Sequence, residues 1–281
     1  MAVPADLETL AMQPDVRFVR LPSGVRLEYA EQGSPAGLPV VMLHGITDSW
    51  RSFETVMQHL PASLNVFSLS QRGHGESDRP QSLRTSDFAA DAAAFIETLG
   101  LRRALVVGHS MGSANAMRLA IDRPDLLHGL VLAGAFAGFR ANAALAEFHR
   151  EAIVPLRDPI ERAFIEEWQR STLARPIDPA YFDSIVRETM KVPARVWHDA
   201  FGALFDDAHS DGMHRIEAPA LLAWGGLDSF APRADQDTIL GRVRGSRLVV
   251  YEGAGHALHW EEPARFAVDV AAFAQAIAAA R

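Results

Sequence analysis

The chain has no cysteine among its 281 residues. Disulfides, thiolate nucleophiles and cysteine-ligated metals are therefore excluded. No run of apolar residues approaches the length needed to cross a bilayer. The first 18 residues include the acids Asp6 and Glu8 and no apolar stretch of the kind that directs secretion. No long basic run is present and the net charge is −8. Nucleic-acid binding is not expected, because phosphate contacts need clustered Lys and Arg. Internal repeats, low-complexity tracts and flexible linkers are missing as well. Together these absences lead us to expect a cytoplasmic protein, a monomer or homodimer, with no membrane or nucleic-acid partner.

What is present is an ordinary globular composition, 48% hydrophobic and 22% charged, long enough for a large core. Short apolar runs recur at residues 40–43, 65–69, 104–107, 130–133, 220–224 and 247–251. Continuous runs of this length suit parallel strands covered on both faces. An earlier segment, 25–30, alternates apolar and polar residues and predicts a half-exposed strand. Helical patterns lie between the runs. Residues 85–99 align Phe88, Ala92, Phe95, Ile96 and Leu99 on one face, and 113–121 is rich in small residues. From Pro263 to Ala279, Phe266, Val270, Phe273 and Ile277 recur at helical spacing. The alternation predicts an α/β fold, a mostly parallel central sheet with helices on both faces.

Residues 137–212 break the rhythm. They hold no convincing strand, and Asp158-Pro159 and Asp178-Pro179 each read as an N-cap followed by proline in the first helical turn. Pro193 reads as a further helix start. We expect a helical cap over 137–212, inserted between a first core part, 1–136, and a second, 213–281. The insertion is rich in aromatics, including Trp168, Trp197, Phe201 and Phe205.

The most informative stretch is Gly108-His109-Ser110-Met111-Gly112, placed between the apolar run 104–107 and the helical run 113–121. A strand, a Gly-x-Ser-x-Gly turn and a helix expose one serine hydroxyl on a sharp bend at the sheet's C-terminal edge. The flanking glycines are needed where a Cβ would clash as the backbone folds back. The pattern alone is weak, since a Ser/Gly turn can merely end a strand. Serine also needs a base, and the base an orienting carboxylate. His256 lies in Gly253-Ala254-Gly255-His256 after the last strand pattern, and Asp228 follows Trp224-Gly225-Gly226-Leu227 after the one before. All three leave the edge where open α/β sheets bind ligands. His44-Gly45-Ile46 follows an early strand, where a loop amide can complete an oxyanion hole. We assign the two donors to the backbone N–H groups of Ile46 and Met111, the latter at a helix N-terminus.

At this point the chain resembles the α/β-hydrolase superfamily, and within it the capped esterases, lactonases and cofactor-free haloperoxidases. The resemblance rests on His44-Gly45, Arg72-Gly73-His74-Gly75-Glu76-Ser77, the Ser110 pentapeptide, Gly226-Leu227-Asp228 and Gly255-His256. They occur in the family's order, nucleophile, acid, histidine. Ser70 stands where the family often has Asp, and Ser113 where many members have a second glycine; neither position carries the chemistry. The loop after His44 lacks the Gly-rich continuation of carbon–carbon bond hydrolases, and a serine at 110 excludes the aspartate-nucleophile relatives.

Several residues have a plainer reading. Asp206, Asp207, Asp211 and Glu252 rival Asp228 as the acid, the first three as solvated side chains near the end of the insertion. His44 is expected to brace the oxyanion loop, and His74 and His109 to be structural. Arg72 reads as a turn-fixing ion pair. His256 and His259 have metal-pair spacing, but no third ligand is apparent and no metal is expected. Phe136, Trp197, Phe201 and Phe230 are candidate substrate-pocket walls. The sequence thus points to a serine hydrolase with catalytic Ser110, Asp228 and His256, no cofactor, and a small-molecule ester or lactone substrate of mostly apolar character. Perhydrolase or haloperoxidase-type activity on the same residues is one alternative, and a non-catalytic small-ligand receptor on this fold is another.

Overall fold

The computed structural model describes residues 14–279 except 141 and 208, and the acids at 6 and 8 lie outside the described residues. Eight strands form one sheet: β1 (Asp15–Arg20), β2 (Arg26–Gly33), β3 (Pro39–Leu43), β4 (Asn65–Ser70), β5 (Ala104–His109), β6 (Leu127–Ala133), β7 (Ala220–Gly225) and β8 (Arg247–Tyr251). Their spatial order is β1-β2-β4-β3-β5-β6-β7-β8. β1 and β2 pair antiparallel, as do β2 and β4. From β4 to β8 every pairing is parallel. All seven expected strands, six from apolar runs and one from the alternating segment, are present.

β1 was not expected. Two of its three apolar residues face away from the core, Val16 42% and Phe18 49% exposed, and Val19 is partly buried against it. The Arg26 guanidinium covers the Phe18 ring at 4.5 Å. With a single partly buried side chain the strand carries no periodic signal, and pairing with β2 defines it.

The central strands are apolar throughout because each face meets helices. In β3, Val41 and Leu43 join the core with Phe95, Ile96 and Met117, while Val40 and Met42 join the opposite core with Phe53, Met57 and Phe266. Helices Thr85–Thr98 and Met111–Asp122 cover the first face. Pro263–Ala279 covers the second through Phe266, Val270, Phe273 and Ile277, the stripe read from the sequence. The helix after Ser110 starts at Met111, two residues earlier than its pattern indicated.

Between β6 and β7 the described residues form helices and no strand: Ala143–Phe148, Arg162–Ser171, Pro179–Thr189, Ala194–Asp206 and His209–Gly212. Asp178 caps its helix as expected, its side chain accepting the Tyr181 N–H at 2.9 Å. Asp158 does not cap a helix of its own, since that helix begins at Arg162. It accepts instead from the Ala194 N–H at 2.8 Å, supplying the cap that Pro193 cannot provide. The helices rest on the sheet edge through an aromatic cluster that joins Trp168, Trp197 and Phe201 to Ile46, Met111 and Phe136. Among the described residues no helix is long and apolar enough to cross a membrane.

Two substitutions separate packing from backbone effects. Phe266→Ala, at a fully buried site, is expected to cost about 3–5 kcal/mol. Gly241, in the helix Arg233–Arg242, has nothing within 4 Å of an added Cβ, so Gly241→Ala should add about 0.5–1 kcal/mol. Urea denaturation reads both, and a destabilising Gly241→Ala would contradict the packing described.

Candidate active site

The turn after β5 is held by close backbone approach. A Cβ on Gly108 would lie 2.3 Å from the Gly112 carbonyl oxygen, and one on Gly112 would lie 2.0 Å from the Leu43 oxygen. Ser110 is thereby forced to φ 52°. Thr47, in the loop after β3, has φ 69°, and these two are the non-glycine residues with positive φ among those described. Such conformations cost about 1–3 kcal/mol each and persist where the surroundings impose them. Here both flank one pocket.

His256 Nε2 lies 2.9 Å from Ser110 Oγ, and His256 Nδ1 lies 2.9 Å from Asp228 Oδ2. A carboxylate accepts the Nδ1–H, which leaves Nε2 free to accept the serine proton. The other Asp228 oxygen accepts from the Phe230 and Ala231 N–H groups at 2.8 and 2.9 Å. The carboxylate is thus fixed by its own loop. Ser110, Asp228 and His256 are all buried. The rival acids lie elsewhere: Asp206, Asp211 and Glu252 are exposed and Asp207 is half-buried. The Met111 N–H opens the helix behind Ser110, and neither it nor the Ile46 N–H is bonded to a backbone carbonyl among the described residues.

The loop carrying Ile46 is braced by His44. The Gln71 N–H donates to His44 Nε2 at 2.9 Å, so Nδ1 carries the ring proton and gives it to the Gly45 carbonyl at 2.7 Å. Gln71 returns a bond to the His44 carbonyl at 2.8 Å and accepts from Asn115 at 2.8 Å. Arg72 grips Asp91 with two bonds of 2.7 and 2.6 Å, the turn-fixing ion pair expected. His259 is turned away from His256 and meets the Ser52 hydroxyl at 3.1 Å.

The site opens into a narrow pocket. Phe136, Phe201 and Phe230 line it, beside Phe139 and Trp168. Trp197 does not, which corrects the sequence reading. It is fully buried and meets Trp168 edge-on at 5.8 Å and Phe201 at 6.4 Å, behind the wall rather than on it. Helical spacing placed it on the face of Phe201 but could not say which of the two was nearer the opening.

Asp48 also lines the pocket and was missed. Burial pushes its carboxyl up to about 7, against hydrogen bonds from Gln169 and Ser52 that pull it down. Within the sequence His44-Gly45-Ile46-Thr47-Asp48 it looked like a loop acid, and nothing local signals its burial beneath the helix carrying Gln169.

A model of the α/β-hydrolase fold matches residues 39–263. The chain belongs to the α/β-hydrolase family. Among curated relatives of this α/β-hydrolase, a 2-(acetamidomethylene)succinate hydrolase of Mesorhizobium japonicum is 37% identical over 108 residues, 38% of each chain. A non-heme chloroperoxidase of Streptomyces lividans is 27% identical over 89% of this chain and 96% of its own. Among solved structures, an esterase from Exiguobacterium antarcticum superposes with a TM-score of 0.81 at 22% identity, covering 92% of this chain and 98% of the esterase. At that identity the likeness speaks to the fold of the α/β-hydrolase.

The buried imidazoles set a pH dependence of stability. Burial holds His44 and His109 well below the usual histidine range, His74 at about 4 and His259 at about 3. A lowered folded-state value stabilises above the unfolded value and is lost as pH falls through the folded one. Asp48 has the opposite sign: its raised value makes the buried carboxylate a cost that grows as pH rises through about 7. The melting temperature is expected to fall as pH drops from about 6.5 to about 3. Asp48→Asn should raise stability at about pH 8, by at most about 4 kcal/mol, and lose that advantage near pH 4. A pH-independent gain would show that Asp48 is not a buried ionisable group.

Proposed function

We propose that this α/β-hydrolase is a serine hydrolase that cleaves a carboxylic ester or lactone through an acyl-enzyme. The observation that carries the reading is the pair of 2.9 Å hydrogen bonds linking Ser110 to His256 and His256 to Asp228. In this mechanism Ser110 Oγ attacks the carbonyl carbon while His256 Nε2 takes its proton. Asp228 keeps the imidazole in the required tautomer and stabilises the imidazolium. The Ile46 and Met111 amides receive the oxyanion, each such donor typically being worth about 3 kcal/mol. His256 then protonates the leaving alkoxide, and the alcohol departs. Water attacks the acyl-enzyme by the same route and restores the serine.

The helices over 137–212 serve as a cap in this reading, with Phe136, Phe201 and Phe230 as apolar substrate walls. The aromatic lining favours a small to medium, mostly apolar substrate. A second reading has one support, the likeness to the Streptomyces chloroperoxidase. Peroxide in place of water on the same acyl-enzyme would release a peracid.

A fluorophosphonate probe should label Ser110, and an unlabelled serine in folded protein would overturn the proposal. Ser110→Ala is expected to lower kcat by about 10⁵–10⁶-fold, and Asp228→Asn by about 10³–10⁴-fold, with folding intact by circular dichroism. Rates on p-nitrophenyl esters and a lactone panel, with and without peroxide, separate the substrate classes. Inertness toward all of them, with tight retention of a bound ligand, would instead indicate a receptor.

A further inference from the structure

The loop after β3 presents the Ile46 amide yet does little to hold itself. Thr47 is a β-branched residue at φ 69°, a conformation such side chains adopt only where their surroundings impose it. Among the described residues, the backbone of 46–48 makes one bond to other backbone, from the Asp48 N–H to the Gly45 carbonyl at 3.4 Å. That is longer than usual for such a bond. The brace from Gln71 reaches His44 and goes no further along the loop.

What reaches 47 and 48 comes from the inserted helices. The Trp168 ring N–H donates to Thr47 Oγ1 at 3.2 Å, and the Gln169 amide donates to Asp48 Oδ1 at 3.1 Å. The same Gln169 nitrogen donates to Thr189 Oγ1 at 2.7 Å, and Thr189 gives its own proton to the Ile185 carbonyl at 3.0 Å. The amide is thus oriented from behind by the next helix, Pro179–Thr189. Asp48 in turn accepts from the Ser52 hydroxyl at 3.3 Å and from the Gly45 backbone. It passes the hold of Gln169 to the residue before Ile46. Thr47, Asp48, Gln169 and Thr189 are all buried, where water does not replace a lost partner.

The same helix, Arg162–Ser171, also meets the loop of His256. Thr172 is its C-cap, with a carbonyl that lacks an intrahelical partner. That carbonyl accepts the Ala257 N–H at 3.0 Å. The approach is so close that a Cβ on Gly255 would lie 2.9 Å from the Thr172 oxygen. One helix end therefore touches the loops after β3 and β8, which lie on either side of β5 in the sheet.

We propose that this helix end is a positioning element of the active site, in which Trp168 and Gln169 hold the loop whose Ile46 amide receives the oxyanion. The proposal deepens the serine-hydrolase reading and rests on it. The insertion then contributes to the rate of the chemistry and not only to the walls of the pocket. Neither side chain needs to touch the reacting atoms, because a donor displaced by about 1 Å already loses about 10²-fold in rate.

Trp168→Phe and Thr47→Val each remove one end of the same bond and keep the bulk around it, and Gln169→Leu removes the hold on Asp48. The kinetics use the p-nitrophenyl ester that the wild type hydrolyses fastest. Two ketones with the same acyl chain serve as inhibitors. A trifluoromethyl ketone is attacked by Ser110 and places an oxyanion against the Ile46 amide, whereas the methyl ketone binds only as a ground-state ligand. Each variant should lower kcat/KM by about tenfold or more. It should weaken the trifluoromethyl ketone by a similar factor and change methyl-ketone binding by less than about twofold. Trp168→Phe combined with Thr47→Val should lose no more than either alone, since both delete one bond. Equal weakening of the two ketones, or losses that multiply in the double variant, would mark Trp168 as a plain pocket wall and overturn the proposal. Trp168→Phe decides this even if Gln169→Leu fails to fold. The rate of Ser110 labelling by a fluorophosphonate, whose phosphoryl oxygen takes the oxyanion's place, separates the two readings. Labelling as fast in the variants as in the wild type sinks the positioning role alone, whereas an unlabelled, inactive wild type sinks both.

Discussion

The helix that begins at Met111 runs so close to β3 that its second residue has no room for a side chain. Gly112 lies against the Leu43 carbonyl, and a Cβ there would fall 2.0 Å from that oxygen. Everything at the candidate site depends on this approach. It bends the chain sharply after β5, drives Ser110 to φ 52°, and aims the first helical amide at the end of the neighbouring strand. The loop after β3 supplies the matching piece, with Thr47 at φ 69° beside the Ile46 amide. Strain in both segments is tolerated because parallel pairing and two apolar cores hold β3 and β5 in register.

Around the bend, polar groups are buried. His44, Gln71 and Asn115 tie the β3 loop to the turn after β4 and to the helix behind Ser110. Their bonds go to backbone or amide groups, so the loop keeps its shape without any charge. The rings of His109 and His259 approach to 4.3 Å, and burial holds both in the neutral form. A second protonated imidazole beside His256 would oppose the imidazolium that the proposed acyl transfer requires. Asp48 is the exception, a carboxyl whose burial leaves it divided between charged and neutral forms near neutrality.

Much of the architecture was legible because its signals are local. Apolar runs marked six strands and an alternating segment a seventh, and the 3.6-residue stripe of Phe266, Val270, Phe273 and Ile277 marked the last helix. Ser110, Asp228 and His256 stood out because each follows a strand, and the sheet brings those ends together. What escaped has no local signal. β1 has one partly buried residue, Val19, and is defined by its pairing with β2. Asp158 precedes a proline, like a cap, yet it serves the helix at Ala194, 36 positions away. Trp197 and Phe201 share a helix face, but only Phe201 reaches the pocket.

The sequence by itself determined the strand-and-helix alternation, the serine turn and the order of the three candidate reactive side chains, since spacing and residue type carry each of them. The tertiary structure decided which groups meet. It placed the Asp228 oxygen on His256, folded Gln169 of the inserted helices onto Asp48, and left His109 Nδ1 buried without a partner among the described residues. Contacts across more than a hundred residues are set by how the helices after β6 settle on the sheet edge. No periodicity along the chain records that geometry.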